Sequence, residues 1–237
     1  MYELVDGLVF YVVFLFSTTL HEAAHAWAAM RGGDRTAYEG GQVTLDPMPH
    51  IRREPVGMVI LPLISVLVSG WPLGFASAPY DRRWAERYPD RAAWMALAGP
   101  AANFLLVLIA GLLINIGLAT GTFFPPESIA FADVTAATAG ADSLWNSVGY
   151  LLGVVFALNL LLMAFNLLPV PPLDGSAILM LGLPERVVPR YQAFIWSNPG
   201  VSLLGILIAW QFFHFLFDPL FTAALNALYF VHGASYG

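Results

Sequence analysis

The stretch that decides the fold is Phe16-Ser17-Thr18-Thr19-Leu20-His21-Glu22-Ala23-Ala24-His25-Ala26-Trp27-Ala28. It lies inside an apolar segment running roughly from residue 7 to residue 30, and a helix needs about 20 apolar residues to cross a bilayer. His21 and His25 are four residues apart, so on a helix they share one face and both imidazoles can address one metal ion. Glu22 sits beside that face, where a base acting on a metal-activated water has to be. In a soluble helix this pattern alone is moderate evidence. In a membrane segment, His and Glu are costly unless they face a partner or a wet cavity, so three of them within five residues need a reason.

Composition supports the membrane setting. Of 237 residues, 58% are hydrophobic and 11% charged, against about 25% charged in soluble domains. The formal net charge is −6, and all ten basic residues are arginines, confined to the windows Arg31 to Arg53, Arg82 to Arg91 and Arg186 to Arg190. No basic run points to nucleic acid, which is excluded as a partner. The absence of cysteine excludes disulfides, thiolate ligands and a cysteine nucleophile. The beginning, Met1-Tyr2-Glu3-Leu4-Val5-Asp6, lacks a basic n-region, so the first apolar segment reads as a retained anchor.

Further apolar stretches follow at about 56–79, 92–120, 144–168 and 199–217, with a weaker one near 219–231. The expected class is an all-α polytopic membrane protein. It is a bundle of about five to six transmembrane or re-entrant helices with a small membrane-associated β element. The expectation is one integral-membrane domain over 1–237, with a catalytic core at about 7–180 and C-terminal membrane segments at about 199–231. The arginine-bearing loops are assigned to the cytoplasm. The loop 120–143, which has Glu127, Asp133 and Asp142 but no basic residue, is assigned to the other side.

Segment 56–79 then has cytoplasmic arginines at both ends. Pro62, Gly70, Pro72 and Gly74 suit a re-entrant or broken element, the alternative being an ordinary span that violates the charge rule. Tyr38 to Asp46, with Gly40-Gly41, reads as a short strand, and Phe75 to Tyr80 as a second. Pro169, Pro171, Pro172, Pro184 and Pro189 make 169–198 a loop with at most short interfacial helices. His50, beside Arg52 and Arg53, is assigned a solvated surface position, and His214 with Asp218 an interfacial one.

Two histidines leave a catalytic zinc short of a third protein ligand. The best candidate is Asp174, in Asn166-Leu167-Leu168-Pro169-Val170-Pro171-Pro172-Leu173-Asp174-Gly175. Three prolines there break the incoming helix, and irregular backbone at membrane depth is tolerated where it lines a cavity. A plain helix-capping aspartate is the other reading.

The HEAAH of 21–25, the Ala98-Gly99-Pro100-Ala101-Ala102-Asn103 opening another helix and the NLLPVPPLDG of 166–175, in that order, resemble the site-2 protease family of intramembrane zinc metalloproteases. Gly41 to Pro47 and His50-Ile51 are similar to its compact branch without a fused PDZ or CBS domain. The resemblance implies one Zn2+ per chain held by His21, His25 and Asp174, with Glu22 as general base. It implies that Asn166 positions substrate or the developing oxyanion, and that Asn103 has a supporting role. Interhelical polar contact is the plain alternative for both asparagines.

Ser176 stands where many relatives have a second glycine, and no lysine follows Phe75, which bears on substrate handling rather than on the metal. The implied substrate is a transmembrane protein or peptide in the lipid bilayer of a prokaryotic cell membrane, with the active site toward the cytoplasm. Its helix must unwind before a carbonyl reaches the metal, and the strand at 42–46 or at 75–79 is expected to accept it by strand addition. The competing readings are a catalytically inactive metal-binding membrane protein, which has no need of Glu22, and a proton-coupled transporter, which leaves Asp174 and the motif order unexplained.

Overall fold

The computed structural model describes residues 4–197 and 199–236. Among the described residues, four helices are long and apolar enough to cross a membrane: Val5–Gly32, Pro89–Ala119, Leu144–Asn166 and Gly200–His232. These lie in α1 (Leu4–Gly32), α6 (Pro89–Ala119), α7 (Leu144–Asn166) and α10 (Pro199–Tyr229), the last running on into a 3-10 turn over Phe230–His232. The shorter helices are α2 (Thr36–Glu39), α3 (Pro47–Arg53), α4 (Leu61–Ser69), α5 (Arg82–Arg87), α8 (Asp174–Ile178) and α9 (Val188–Ser197). The fold is the expected all-α polytopic membrane protein.

The segment after Glu54 folds back on itself rather than crossing. A π-helical turn over Val56–Ile60 leads into α4, and the 14 residues of Val56–Ser69 extend about 21 Å, short of a roughly 30 Å hydrocarbon core. Gly70 ends the helix with φ 73°, a left-handed conformation that glycine adopts without a Cβ penalty. The chain then returns, and the Phe75 N–H donates to the Gly57 carbonyl at 3.1 Å, so the two limbs of the loop lie together. Phe10 packs on Trp71 with centroids 4.9 Å apart, and the Tyr11 hydroxyl donates to the Met58 carbonyl at 3.3 Å. These contacts hold the loop against the first half of α1.

Three expectations are corrected. Residues 38–46 form no strand. Asp34 accepts from the Thr36 N–H at 2.9 Å in the turn that leads into α2, and Asp46 caps α3, accepting from the Met48 N–H with Pro47 behind it. Local capping therefore overrides the alternation there. Phe75 to Pro79 has no regular secondary structure and pairs in no ladder, and the β element instead lies in the acidic loop, where Phe123–Phe124 pairs antiparallel with Ala136–Ala137. Finally, 199–217 and 219–231 are one helix through Pro219, a continuity tolerated because an apolar medium penalises every backbone group a break would free.

The chain divides into two compact units, Met1–Asn103 with Leu162–Phe213, and Phe104–Leu161 with His214–Gly237. In the second, Tyr229 donates its hydroxyl to the Val134 carbonyl, Phe131, Phe217 and Phe221 form a mutual ring cluster, and His232 meets Asn115 at 3.0 Å. The first unit carries all the motifs singled out above. A buried cluster of Ala29, Trp84, Ala85, Ala92, Ala93, Met95, Met180 and Val188 joins the end of α1 to α5, α6, the turn after α8 and the start of α9. Trp84 Nε1 and Arg91 Nη1 both donate to the Gly32 carbonyl, at 3.1 and 3.0 Å, and so satisfy the open end of α1.

Candidate metal centre

His21 and His25 lie on one face of α1 and are buried, as is Glu22 between them. Their Nε2 atoms are 2.9 Å apart. Asp174 Oδ2 stands 3.1 Å from His21 Nε2 and 3.3 Å from His25 Nε2, so the candidate third ligand, 149 residues after His25, completes a small triangle. Ligand atoms about 2.0–2.1 Å from a tetrahedral ion stand roughly 3.3 Å from one another. The triangle is close to that edge.

Asp174 owes its place to the prolines. Pro169 to Leu173 leaves α7 as irregular chain, with a cis bond between Pro171 and Pro172, and Asp174 opens α8. Two glycines let this loop pack closely. A Cβ on Gly175 would meet the Leu167 and Leu168 carbonyl oxygens at 2.2 and 2.3 Å, and one on Gly205 of α10 would meet the Pro171 carbonyl oxygen at 1.9 Å. Ser176 donates to the Leu173 carbonyl at 2.7 Å, and Tyr191 donates to the Ser176 carbonyl at 2.8 Å, which ties α8 to α9.

The far ring nitrogens fix the imidazoles. His21 Nδ1 donates to Asn103 Oδ1 at 2.5 Å and His25 Nδ1 to the Met95 carbonyl at 2.7 Å. With the protons committed there, both neutral rings turn an Nε2 lone pair toward Asp174, itself an acceptor. Three lone pairs converge with no donor among them, an arrangement that a cation satisfies. Glu22 Oε2 adds a buried oxygen with no hydrogen-bond partner among the described residues. Gly99 of α6 adds close approach: a Cβ there would lie 2.4 Å from His25 Nε2 and 2.5 Å from His21 Nε2. By donor type, convergence and the space held open, these residues fit a zinc ion.

Asn103 is thus brought to the site, as the partner of His21. Its replacement by leucine removes the acceptor, and the expected result is a 10- to 100-fold weaker zinc affinity, measured against a competing chelator. Asn103→Asp, which keeps an acceptor, should restore it. Asn166 Nδ2 donates back to the Leu162 carbonyl of its own helix at 3.0 Å, and among the described residues no hydrogen bond links it to His21, His25 or Asp174. His50, expected in solvent, is 2% exposed, because the cap at Asp46 turns α3 inward and His50 Nε2 meets the Thr44 carbonyl at 3.2 Å.

Sequence reasoning did not assign Gly99 or the Met95 carbonyl. A glycine followed by Pro100 inside an apolar helix was the available signal. Proline lacks the N–H that would bond the Ala96 carbonyl, and the carbonyl next to it, on Met95, is the one that His25 uses.

Comparison with known proteins agrees with this geometry. The sequence signature of peptidase family M50 matches residues 9–207. Over 206 residues the chain is 33% identical to "Putative zinc metalloprotease YwhC" of Bacillus subtilis, covering 84% of this chain and 83% of that protein. It is 31% identical over 210 residues to "Putative zinc metalloprotease Rip2" of Mycobacterium tuberculosis strain Erdman, covering 86% and 71%. With the Rip2 of Mycolicibacterium smegmatis the identity is 30% over 166 residues, 70% of this chain and 53% of that one. No solved structure matches the chain significantly. The chain is a multi-pass membrane metallopeptidase and belongs to peptidase family M50, the site-2 protease family.

Proposed function

We propose that this metallopeptidase is a zinc-dependent intramembrane protease that hydrolyses peptide bonds within or near transmembrane segments of other membrane proteins. The observation that carries the reading is the convergence of His21 Nε2, His25 Nε2 and Asp174 Oδ2 beside the unpartnered Glu22 Oε2, inside a helix of membrane-spanning length. Three protein ligands leave a fourth position open, as a catalytic rather than structural zinc requires. A zinc ion there supplies a Lewis acid for the scissile carbonyl and for the attacking water. Glu22 Oε2 takes the proton from that water and returns it to the leaving amine. The names of the relatives support zinc as the metal, and their bacterial hosts support a prokaryotic cell membrane.

The site lies toward the cytoplasm in this reading. Arg31, in the last turn of α1, is six residues beyond His25, about 9 Å along the helix, and positive residues favour the cytoplasmic side. Substrate docks along the return limb of the re-entrant loop. That limb is held at Phe75 by Gly57, at Ser77 by Arg53 Nε (2.9 Å to its carbonyl) and Glu54 (2.6 Å to its hydroxyl), and at Asp81 by Asp34 (2.8 Å). Between these ties the backbone groups of Ala76 and Ala78 bond to no described residue, so they can pair with an unwound segment. Val43, the other candidate, sits in a bend. Ala76→Pro should slow cleavage about tenfold with unchanged zinc content, and unchanged kinetics would remove this docking edge from the proposal.

The deciding experiment reconstitutes the purified chain in liposomes with a labelled transmembrane peptide, and measures zinc per chain and cleavage products. One zinc per chain and internal cleavage are expected, with both lost in Asp174→Ala. A zinc-free wild type, or cleavage that survives zinc removal, contradicts the reading.

A further inference from the structure

A cleft of about 180 Å³ opens beside the metal centre, and Asp174 forms part of its wall. Its other walls include Tyr80, Met95 and Ala96 of α6, Ala177 and Met180 beyond Asp174, and Trp196 of α9. Four alanines line it, Ala85, Ala92, Ala96 and Ala177, whose methyl groups leave open what larger side chains would fill. The lining is mostly hydrocarbon and aromatic ring, while the one carboxylate points its Oδ2 at the two imidazoles. The cleft therefore begins one carboxylate's width from the place where the bond is broken.

We infer that this cleft is the specificity pocket for the substrate side chain flanking the scissile bond, and that it takes a large apolar group such as leucine, methionine or phenylalanine. This rests on the protease reading above. The side chains on either side of an attacked carbonyl lie within a few ångströms of it, so a recess this close to the ligand atoms is reached by one of them and not by a residue farther along. Volume sets the class: an apolar cavity of about 150 Å³ accommodates benzene, so a phenyl or isobutyl group fits and a methyl group leaves most of the space empty. Burying such a side chain corresponds to roughly a 10- to 100-fold preference over alanine in kcat/KM. Met95 links the pocket to the metal, since the same residue lines the cleft and holds His25 through its carbonyl.

The test uses the full chain in liposomes and a set of transmembrane peptides. Alanine, leucine, phenylalanine or tryptophan is placed on either side of the bond that mass spectrometry identifies as cleaved. Two variants change the pocket in opposite directions: Ala177→Leu narrows it and Trp196→Ala widens it. The wild type should prefer leucine and phenylalanine at one flanking position by at least about tenfold. Ala177→Leu should shift that preference to alanine, and Trp196→Ala should admit tryptophan. Peptide affinities measured in a Glu22→Gln background, where turnover is blocked, should follow the same order, and zinc content should be equal throughout. A profile that is flat in the wild type, or that falls in parallel for all peptides in both variants, overturns the pocket while leaving the protease reading intact. Failure of the wild type to cleave any peptide removes both.

Discussion

Glu22→Gln should abolish peptide cleavage while leaving zinc content at the wild-type level. Glu22 stands between the two histidines but is absent from the triangle of converging lone pairs, which His21, His25 and Asp174 form without it. An amide of the same size therefore leaves the metal's donors in place. What it removes is basicity at the one buried carboxylate oxygen that nothing else in the described structure engages. A positioned general base contributes about 10²–10⁴ in rate, and with no second carboxylate free to substitute, the loss should lie near the upper end, about a thousandfold or more. Zinc analysis by mass spectrometry and single-turnover cleavage read the two quantities separately. Equal zinc with lost cleavage distinguishes a protease from a metal carrier, for which Glu22 would be dispensable. Loss of zinc together with activity would make Glu22 a ligand and reassign the base.

The candidate ligands stand out in the sequence because the chemistry constrains side chains at fixed spacing: i and i+4 for His21 and His25, and a proline-broken helix end for Asp174. The membrane class was legible because it is a bulk property of composition. What sequence missed depends on backbone groups or on local competition. His25 is held by a carbonyl, which every residue has, so nothing in the letter at position 95 announces it. The expected strand at 38–46 lost to two short helices because aspartates 34 and 46 each accept a backbone N–H at a helix start, and a cap outweighs alternation in so short a segment. The return limb at 75–79 was read as a strand and forms none, because its neighbours are tied to it by side chains and one carbonyl rather than by a second strand. His50 was assigned to solvent from the arginines beside it, but residues adjacent in sequence on a helix point to different faces.

Gly99→Ala should empty the metal site while leaving the fold in place. Alanine is at least as good a helix former as glycine, so α6 has no local reason to be weakened. The added Cβ, however, would lie 2.4 Å from His25 Nε2, 2.6 Å from His25 Cε1 and 2.5 Å from His21 Nε2. Carbon and nitrogen do not approach nearer than about 3.5 Å without repulsion, so both rings must retreat by about 1 Å. Neither can do so freely, since Asn103 and Met95 hold their far nitrogens, and ligand positions tolerate only about 0.2 Å before affinity suffers. Zinc occupancy should therefore fall below about one tenth of wild type, with cleavage falling in proportion. Yield, monodispersity in detergent and helical content by circular dichroism should stay unchanged. Wild-type zinc content in this variant would mean that the ion, if bound, lies elsewhere than in the triangle formed by His21, His25 and Asp174.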